Sequence, residues 1–424
     1  MVYFNGGLVL FRSWQNLAVL AFLLNASATF ALDSIVNPQT ITFAEPPNEL
    51  VLENGQKLGP ISVVYETYGK LTPDGRNAVL IMGGLSETSQ AAGRHAPGGP
   101  VGWWDGLIGP GKPFDTDRFF VISPQALAGG HRDNKLGTGT TGPQSIDPRT
   151  GKPYGMHFPT FSIRDMARVN MELLKHLGVK HLVVVSGVSM GGFEALEFIC
   201  TFPDFVEGAI PTVSRGRETA EHILNHSVRS IAIMNDPDWQ GGDYYGTGRY
   251  PIKGVALALM VGYGSNNNSP EFNDNKQADD PNLSPYANVL TGFKFERDLW
   301  ANALKEAESG LDANCELYRL RAVSNQNLGW NRGDYSRGWM ANLADGLKSV
   351  QADVLMMPFK TDDSVRPDTA KEIVDILRTF GKRAELHIVD SERGHGGASR
   401  DTVQMSPIMK QFIDHLPGAK VPRP

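Results

Sequence analysis

Only two cysteines, Cys200 and Cys315, occur among 424 residues. That excludes a disulfide framework and allows one bridge at most. Cys200 ends an apolar run, where a thiol packs as a small hydrophobe, so both thiols are read as free. After the N-terminal segment, no apolar stretch approaches the roughly 20 residues that span a bilayer. Neither sign of charge dominates: 40 Lys and Arg stand against 46 Asp and Glu, a net charge of −6. With no dense basic stripe, nucleic acid is not an expected partner. No metal signature is present. His222 and His226 share i, i+4 spacing without an acidic motif, and read as a solvated or core-edge pair. There is no internal repeat.

The chain does carry an N-terminal targeting pattern. Residues 17–24 (LAVLAFLL) form an apolar run bounded by Asn16 and Asn25. It is too short to span a membrane and suits a signal-peptide core. Small-residue sites follow at Ala26-Ser27-Ala28 and Thr29-Phe30-Ala31. Residues 1–31 are therefore expected to be a secretory signal, cleaved near Ala28 or Ala31. The mature chain would be periplasmic or secreted, with no membrane anchor after cleavage.

Apolar runs at residues 61–68, 78–82, 118–123, 182–185 and 208–213 read as strands. An amphipathic helix is expected over 162–177, with Ser162 and Asp165 as a capping box and Gly178 as its stop. Strands alternating with helices predict an α/β fold with a mostly parallel sheet. From 215 to 349 strand signals fade and helical segments dominate. That block is expected to be a mainly helical lid inserted between core segments 37–214 and 350–424. Strands return at 352–357 and 384–389, with helices at 367–381 and 407–415.

The organising stretch is residues 182–198, LVVVSGVSMGGFEALEF. A buried strand runs into Gly187-Val188-Ser189-Met190-Gly191 and continues as a helix. Strand, Gly-x-Ser-x-Gly turn and helix resemble the nucleophile elbow of α/β-hydrolases. The tight turn would lift the Ser189 hydroxyl clear of the backbone. The glycines remove Cβ atoms that would collide as strand and helix pack.

A serine needs a base, and the base needs an orienting carboxylate. In this fold they follow in the order Ser, acid, His. His395 lies in a loop after the last strand. Asp362 and Asp363 both follow the 354–357 strand, and position in the loop does not separate them. The oxyanion hole is expected from two backbone N–H groups. One is that of Met190 and the other lies near Leu85 or Ser86, with Leu85 preferred.

With these residues placed, the chain resembles the homoserine O-acetyltransferase family. The resemblance rests on Gly102-Trp103-Trp104-Asp105-Gly106, Phe114-Asp115-Thr116-Asp117-Arg118, Thr141-Gly142-Pro143, Ile163-Arg164-Asp165-Met166, Ser189-Met190-Gly191-Gly192 and Gly241-Gly242-Asp243-Tyr244-Tyr245. It implies an α/β-hydrolase core, a helical lid, a Ser-Asp-His triad and commonly a homodimer. It also implies ping-pong transfer of an acetyl group from acetyl-CoA. The family's aspartate stands four residues before a proline, which selects Asp363 over Asp362. Arg229 resembles the arginine that receives the homoserine carboxylate, one residue out of register, and Tyr244 joins it as an implied substrate-binding residue. One departure bears on substrate: the aspartate that follows the family's catalytic histidine and holds the ammonium is replaced here by Gly396.

The sequence therefore predicts an exported serine acyl-transfer enzyme acting through Ser189, Asp363 and His395, with no metal and no bound cofactor. Hydrolysis of a small acyl ester is the expected reaction. Acetyl transfer from acetyl-CoA to homoserine or another alcohol is the alternative, and a non-catalytic binding role is a further one.

Overall fold

The computed structural model describes residues 35–129, 139–267, 270, 273, 293–332 and 342–420. The expected signal segment, 1–31, lies outside the described residues. Eight strands build one sheet: β1 (Gln39–Phe43), β2 (Ile61–Tyr68), β3 (Ala78–Met82), β4 (Phe120–Pro124), β5 (Leu182–Val188), β6 (Val206–Thr212), β7 (Asp353–Met356) and β8 (Ala384–Leu386). Their order is β1-β2-β4-β3-β5-β6-β7-β8. The pairings β1/β2 and β2/β4 are antiparallel, and the rest are parallel. This is the α/β-hydrolase fold, a mainly parallel sheet flanked by helices.

The strands read as unbroken apolar runs because both faces of the sheet are covered. Along β3, Ala78, Leu80 and Met82 enter the core with helices α1 (Ile163–His176), α2 (Met190–Thr201) and α8 (Pro367–Thr379). Val79 and Ile81 point the other way, to Trp104, Phe114 and helix α9 (Thr402–His415). Side chains of alternate residues thus serve two cores. Helix α1 starts where its cap predicts. The Ser162 hydroxyl accepts the Asp165 N–H at 3.1 Å, and Asp165 accepts the Ser162 N–H at 3.1 Å.

Between β6 and β7 the described α-helices are α3 (Ala220–Met234), α4 (Ile252–Asn266), α5 (Lys294–Glu308), α6 (Ala313–Ser324) and α7 (Leu343–Leu347). None of the described residues between β6 and β7 adds a strand to the main sheet. Small side chains, Ala256, Ala258, Ala303, Ala307 and Ala313, let these helices approach over Ile233, Tyr244 and Val255. Helix α9 begins five residues before the expected start at Pro407, which sits inside it. The missing Pro407 N–H would have met the carbonyl of Val403. That residue is 84% exposed, so water can serve the carbonyl. Cys200 and Cys315 are separate buried thiols.

Candidate active site

The elbow is built by steric exclusion. Ser189 sits at φ 56°, ψ −117°, a conformation that L residues rarely hold and that here precedes α2 directly. A Cβ on Gly187 would lie 2.3 Å from the Gly191 carbonyl oxygen, and one on Gly191 would lie 2.1 Å from that of Met82. Neither position tolerates a side chain, so the two glycines let strand and helix close around Ser189. The Ser189 N–H donates to the Thr212 carbonyl at 3.0 Å, which ties the turn to the neighbouring strand.

His395 Nε2 lies 2.9 Å from Ser189 Oγ, and His395 Nδ1 lies 2.8 Å from Asp362 Oδ2. A carboxylate only accepts, so Nδ1 carries the proton and Nε2 is left to accept from the serine. The acid is therefore Asp362, and the assignment to Asp363 is corrected. The cause is a local turn. The Asp362 N–H donates to Phe359, and its Oδ1 accepts the Val365 N–H at 2.8 Å. That folds the Asp362 side chain inward, leaving it 1% exposed. Asp363, next along, turns outward and borders a separate cavity with His222 and Ser364. Two further bonds hold the acid loop to the histidine loop. The Thr361 hydroxyl donates to the Ser391 carbonyl at 2.8 Å and accepts the Gly394 N–H at 3.1 Å.

Met190 is the first residue of α2, where N–H groups lack helical partners, and Leu85 lines the same cavity as Ser189. The Leu85 loop has two features that sequence reasoning missed. On one side, Arg319 of α6 donates to the Leu85 carbonyl at 2.6 Å. On the other, the Glu87 side chain folds back against Gly84 and faces the cavity. Burial pushes its carboxyl above the usual range, opposed by the backbone N–H groups of Glu87, Ser86 and Gly84 and by His395. Behind the elbow, Glu194 of α2 is buried, borders a small cavity with Glu87 and Asn170, and is pushed up to about 8 by burial, opposed by a bond from Asn170 Nδ2 at 2.9 Å.

The cavity over Ser189 is about 350 Å³. Its walls include the Leu85 loop, Gly396, Arg400, Asn266, Asn267, Glu306 and Arg229. Arg229 does reach the site, but it is already paired with a carboxylate. Its Nη2 donates to Glu316 Oε1 at 2.5 Å, and Arg319 Nη2 reaches the other oxygen of Glu316 at 3.2 Å. Tyr244 does not reach the site, which corrects its assignment to substrate. Its hydroxyl donates to Asp312 at 3.0 Å and accepts the Asn314 N–H at 3.1 Å. It borders a different cavity with Asp238 and Arg249. Glu316 and Arg319 escaped sequence reasoning because their partners lie far away in the chain. The one available signal was a pair of opposite charges at i, i+3 in a stretch for which no helix was expected.

Among the described residues no group of His, Cys, Asp and Glu is arranged to hold a metal ion, and no helix is long and apolar enough to cross a membrane. His222 and His226 form a core-edge pair. His226 Nδ1 lies 3.0 Å from Ser324 Oγ, and burial, with the neighbouring His222, pushes its pKa down to about 2.

Known proteins are similar to this chain in sequence and fold. Residues 78–304 match a family described as the alpha/beta hydrolase fold. Homoserine O-acetyltransferase from Deferribacter desulfuricans is 35% identical over 383 residues, covering 90% of this chain and 96% of that one. The crystal structure of homoserine O-acetyltransferase from Bacillus anthracis superposes with a TM-score of 0.82 at 31% identity, covering 90% of this chain and 99% of the other. Esterase E22 superposes with a TM-score of 0.80 at 30% identity, covering 89% of this chain and 100% of its own. With an elbow serine, a histidine and a buried aspartate in bonding sequence on this sheet, the chain belongs to the homoserine O-acetyltransferase family of α/β-hydrolase-fold enzymes.

Proposed function

We propose that the protein hydrolyses small acyl esters through an acyl-Ser189 intermediate. His395 takes the proton from Ser189 Oγ as the serine attacks the ester carbonyl, and then delivers it to the leaving alcohol. Asp362 holds the imidazole in the required tautomer and stabilises the imidazolium. Backbone N–H groups of Met190 and the Leu85 loop receive the oxyanion. Water, activated by His395, then attacks the acyl carbon, releases the acid and restores the hydroxyl. No metal and no bound cofactor enters these steps.

The observation that carries the choice of water over an amino-acid acceptor is the acceptor side of the cavity. Gly396 stands directly after His395, so that position offers no carboxylate to an ammonium. Arg229 is paired with Glu316, which it shares with Arg319, rather than held open for a substrate carboxylate. Esterase E22, with the same fold at 30% identity, supports a hydrolytic reading. Transfer of an acetyl group from acetyl-CoA to homoserine is the second reading, favoured by the 35% identity to an acetyltransferase of that name.

Purified protein assayed with short 4-nitrophenyl esters, with and without homoserine and acetyl-CoA, decides between them. Release of 4-nitrophenol unaffected by homoserine is expected. A fluorophosphonate probe should label the wild type and not Ser189→Ala, and labelling that persists would remove Ser189 from the reaction. Export is proposed on residues 17–31 alone. Mass spectrometry of the protein from its own host should find the N-terminus lost near Ala28 or Ala31, and an intact Met1 in a cytosolic fraction would refute it. A homodimer remains a proposal from the family, testable by light scattering.

A further inference from the structure

We propose that Arg319 is a positioning residue for the oxyanion loop, so that the lid, through Arg319, sets the rate of acyl transfer. It rests on the reading of Ser189 as the nucleophile.

The oxyanion loop follows β3 as Gly83-Gly84-Leu85-Ser86-Glu87. Two glycines give it freedom to approach Ser189 and little stiffness of its own. Glu87 holds it from within, through the N–H groups of Gly84, Ser86 and Glu87, and Arg319 holds it from outside. Arg319 Nη1 donates to the Leu85 carbonyl at 2.6 Å across 234 positions of chain. The guanidinium is itself fixed. Its Nη2 is 3.2 Å from Glu316 Oε2 and its Nε is 3.4 Å from the Cys315 carbonyl. Glu316 is held in turn by Arg229 at 2.5 Å. Arg319 and Glu316 are each 3% exposed and Arg229 is 6% exposed.

A buried cation is costly unless every donor is used, and a charge-assisted bond to a carbonyl is short and directional. Spending such a bond on one loop carbonyl fixes the Leu85–Ser86 peptide plane and so restricts the adjoining Leu85 backbone. An oxyanion donor helps only when it is within a few tenths of an ångström of its mark before the charge develops. Arg319 touches neither Ser189 nor His395. Its effect runs through Leu85 and appears in the transition state rather than in ester binding. Arg229, through Glu316, becomes the far end of this brace. That explains why an arginine at the cavity wall points its charge into the protein.

The test compares Arg319→Leu, Arg319→Lys and Glu316→Gln in the full chain. Each is assayed for kcat and KM with 4-nitrophenyl acetate, for Ki of benzeneboronic acid, which forms a tetrahedral adduct with the serine, and for thermal melting. Arg319→Leu should lower kcat about 10- to 100-fold, with KM within about twofold and boronate Ki raised by a similar factor. Arg319→Lys keeps a donor for Leu85 and should recover most of the rate. Glu316→Gln preserves volume but keeps an acceptor for only one of the two arginines, and should fall between them with KM unchanged.

If Arg319→Leu does not fold, the Lys and Gln variants carry the same comparison of kcat with Ki. Wild-type kcat and boronate affinity in the folded Leu variant would overturn the proposal. So would a loss confined to melting temperature, or a Lys variant as slow as the Leu variant. Absence of fluorophosphonate labelling in the wild type would instead sink the Ser189 reading, so the two failures are distinct.

Discussion

Asp362, not its neighbour Asp363, faces the imidazole of His395, with Oδ2 2.8 Å from Nδ1. The pair is enclosed: the His395 side chain is 10% exposed and that of Asp362 is fully buried. In this setting the carboxylate does two things. It fixes the tautomer that lets Nε2 accept from Ser189, and it offsets the charge of the imidazolium formed during attack.

Asp362→Asn should therefore lower kcat by about 10⁴-fold with a smaller change in KM, because the amide favours the wrong tautomer. Asp363→Asn should stay within about twofold of the wild type. Steady-state kinetics on a 4-nitrophenyl ester compares them directly, and the reverse ranking would return the acid role to Asp363.

That one-residue miss marks where the sequence stops being readable. The elbow is legible because its constraint is local: the Ser189 turn needs Gly187 and Gly191 whatever the rest of the chain does. His395 is legible because the expected strand at 384–389 takes in His387 and leaves one histidine in the loop that follows. Asp362 and Asp363 share the right loop, and only the turn made by Phe359, Asp362 and Val365 says which carboxylate points inward. The spacing to Pro367 gave the wrong neighbour because this loop runs one residue longer from the acid to the helix. Arg229 is at the cavity wall as expected, but its charge is decided by Glu316, 87 positions away. Tyr244 fails for a similar reason, since Asp312 and Asn314 occupy its hydroxyl.

The buried Glu194 gives a prediction about pH. Its folded pKa is raised to about 8, from 4.5, by burial behind the elbow. An acid with a raised folded pKa favours the folded state in its protonated form. That contribution is complete below pH 4.5 and is lost as pH rises through about 8. Glu194→Gln keeps an oxygen for the Asn170 bond and removes the titration. Its melting temperature should match the wild type near pH 4.5 and exceed it by about 3 °C or more at pH 8.5. A difference that does not change with pH would mean that Glu194 is not titrating in the folded protein.

The acceptor side of the cavity is the most direct test of what resolves the acyl-enzyme. L-homoserine at millimolar concentration should neither saturate nor speed turnover, because its ammonium meets no carboxylate at Gly396 and its carboxylate meets an arginine already paired with Glu316. Gly396 has an ordinary backbone conformation, and a Cβ there would lie 3.4 Å from Asn267 Oδ1 and 3.7 Å from an Arg400 Nη2 atom. A side chain fits, yet Arg400 is close enough to claim a new carboxylate. Gly396→Asp alone should therefore change little, whereas Gly396→Asp combined with Arg400→Ala should yield measurable homoserine-dependent turnover. Arg229→Ala should chiefly lower the melting temperature. Removing one member of a buried pair costs about 3–5 kcal/mol, and Arg319 stays beside Glu316 to hold the loss near the lower end. Rapid acetyl transfer to L-homoserine by the wild type, read as O-acetylhomoserine by mass spectrometry, would refute this account of the pocket and restore the transferase reading.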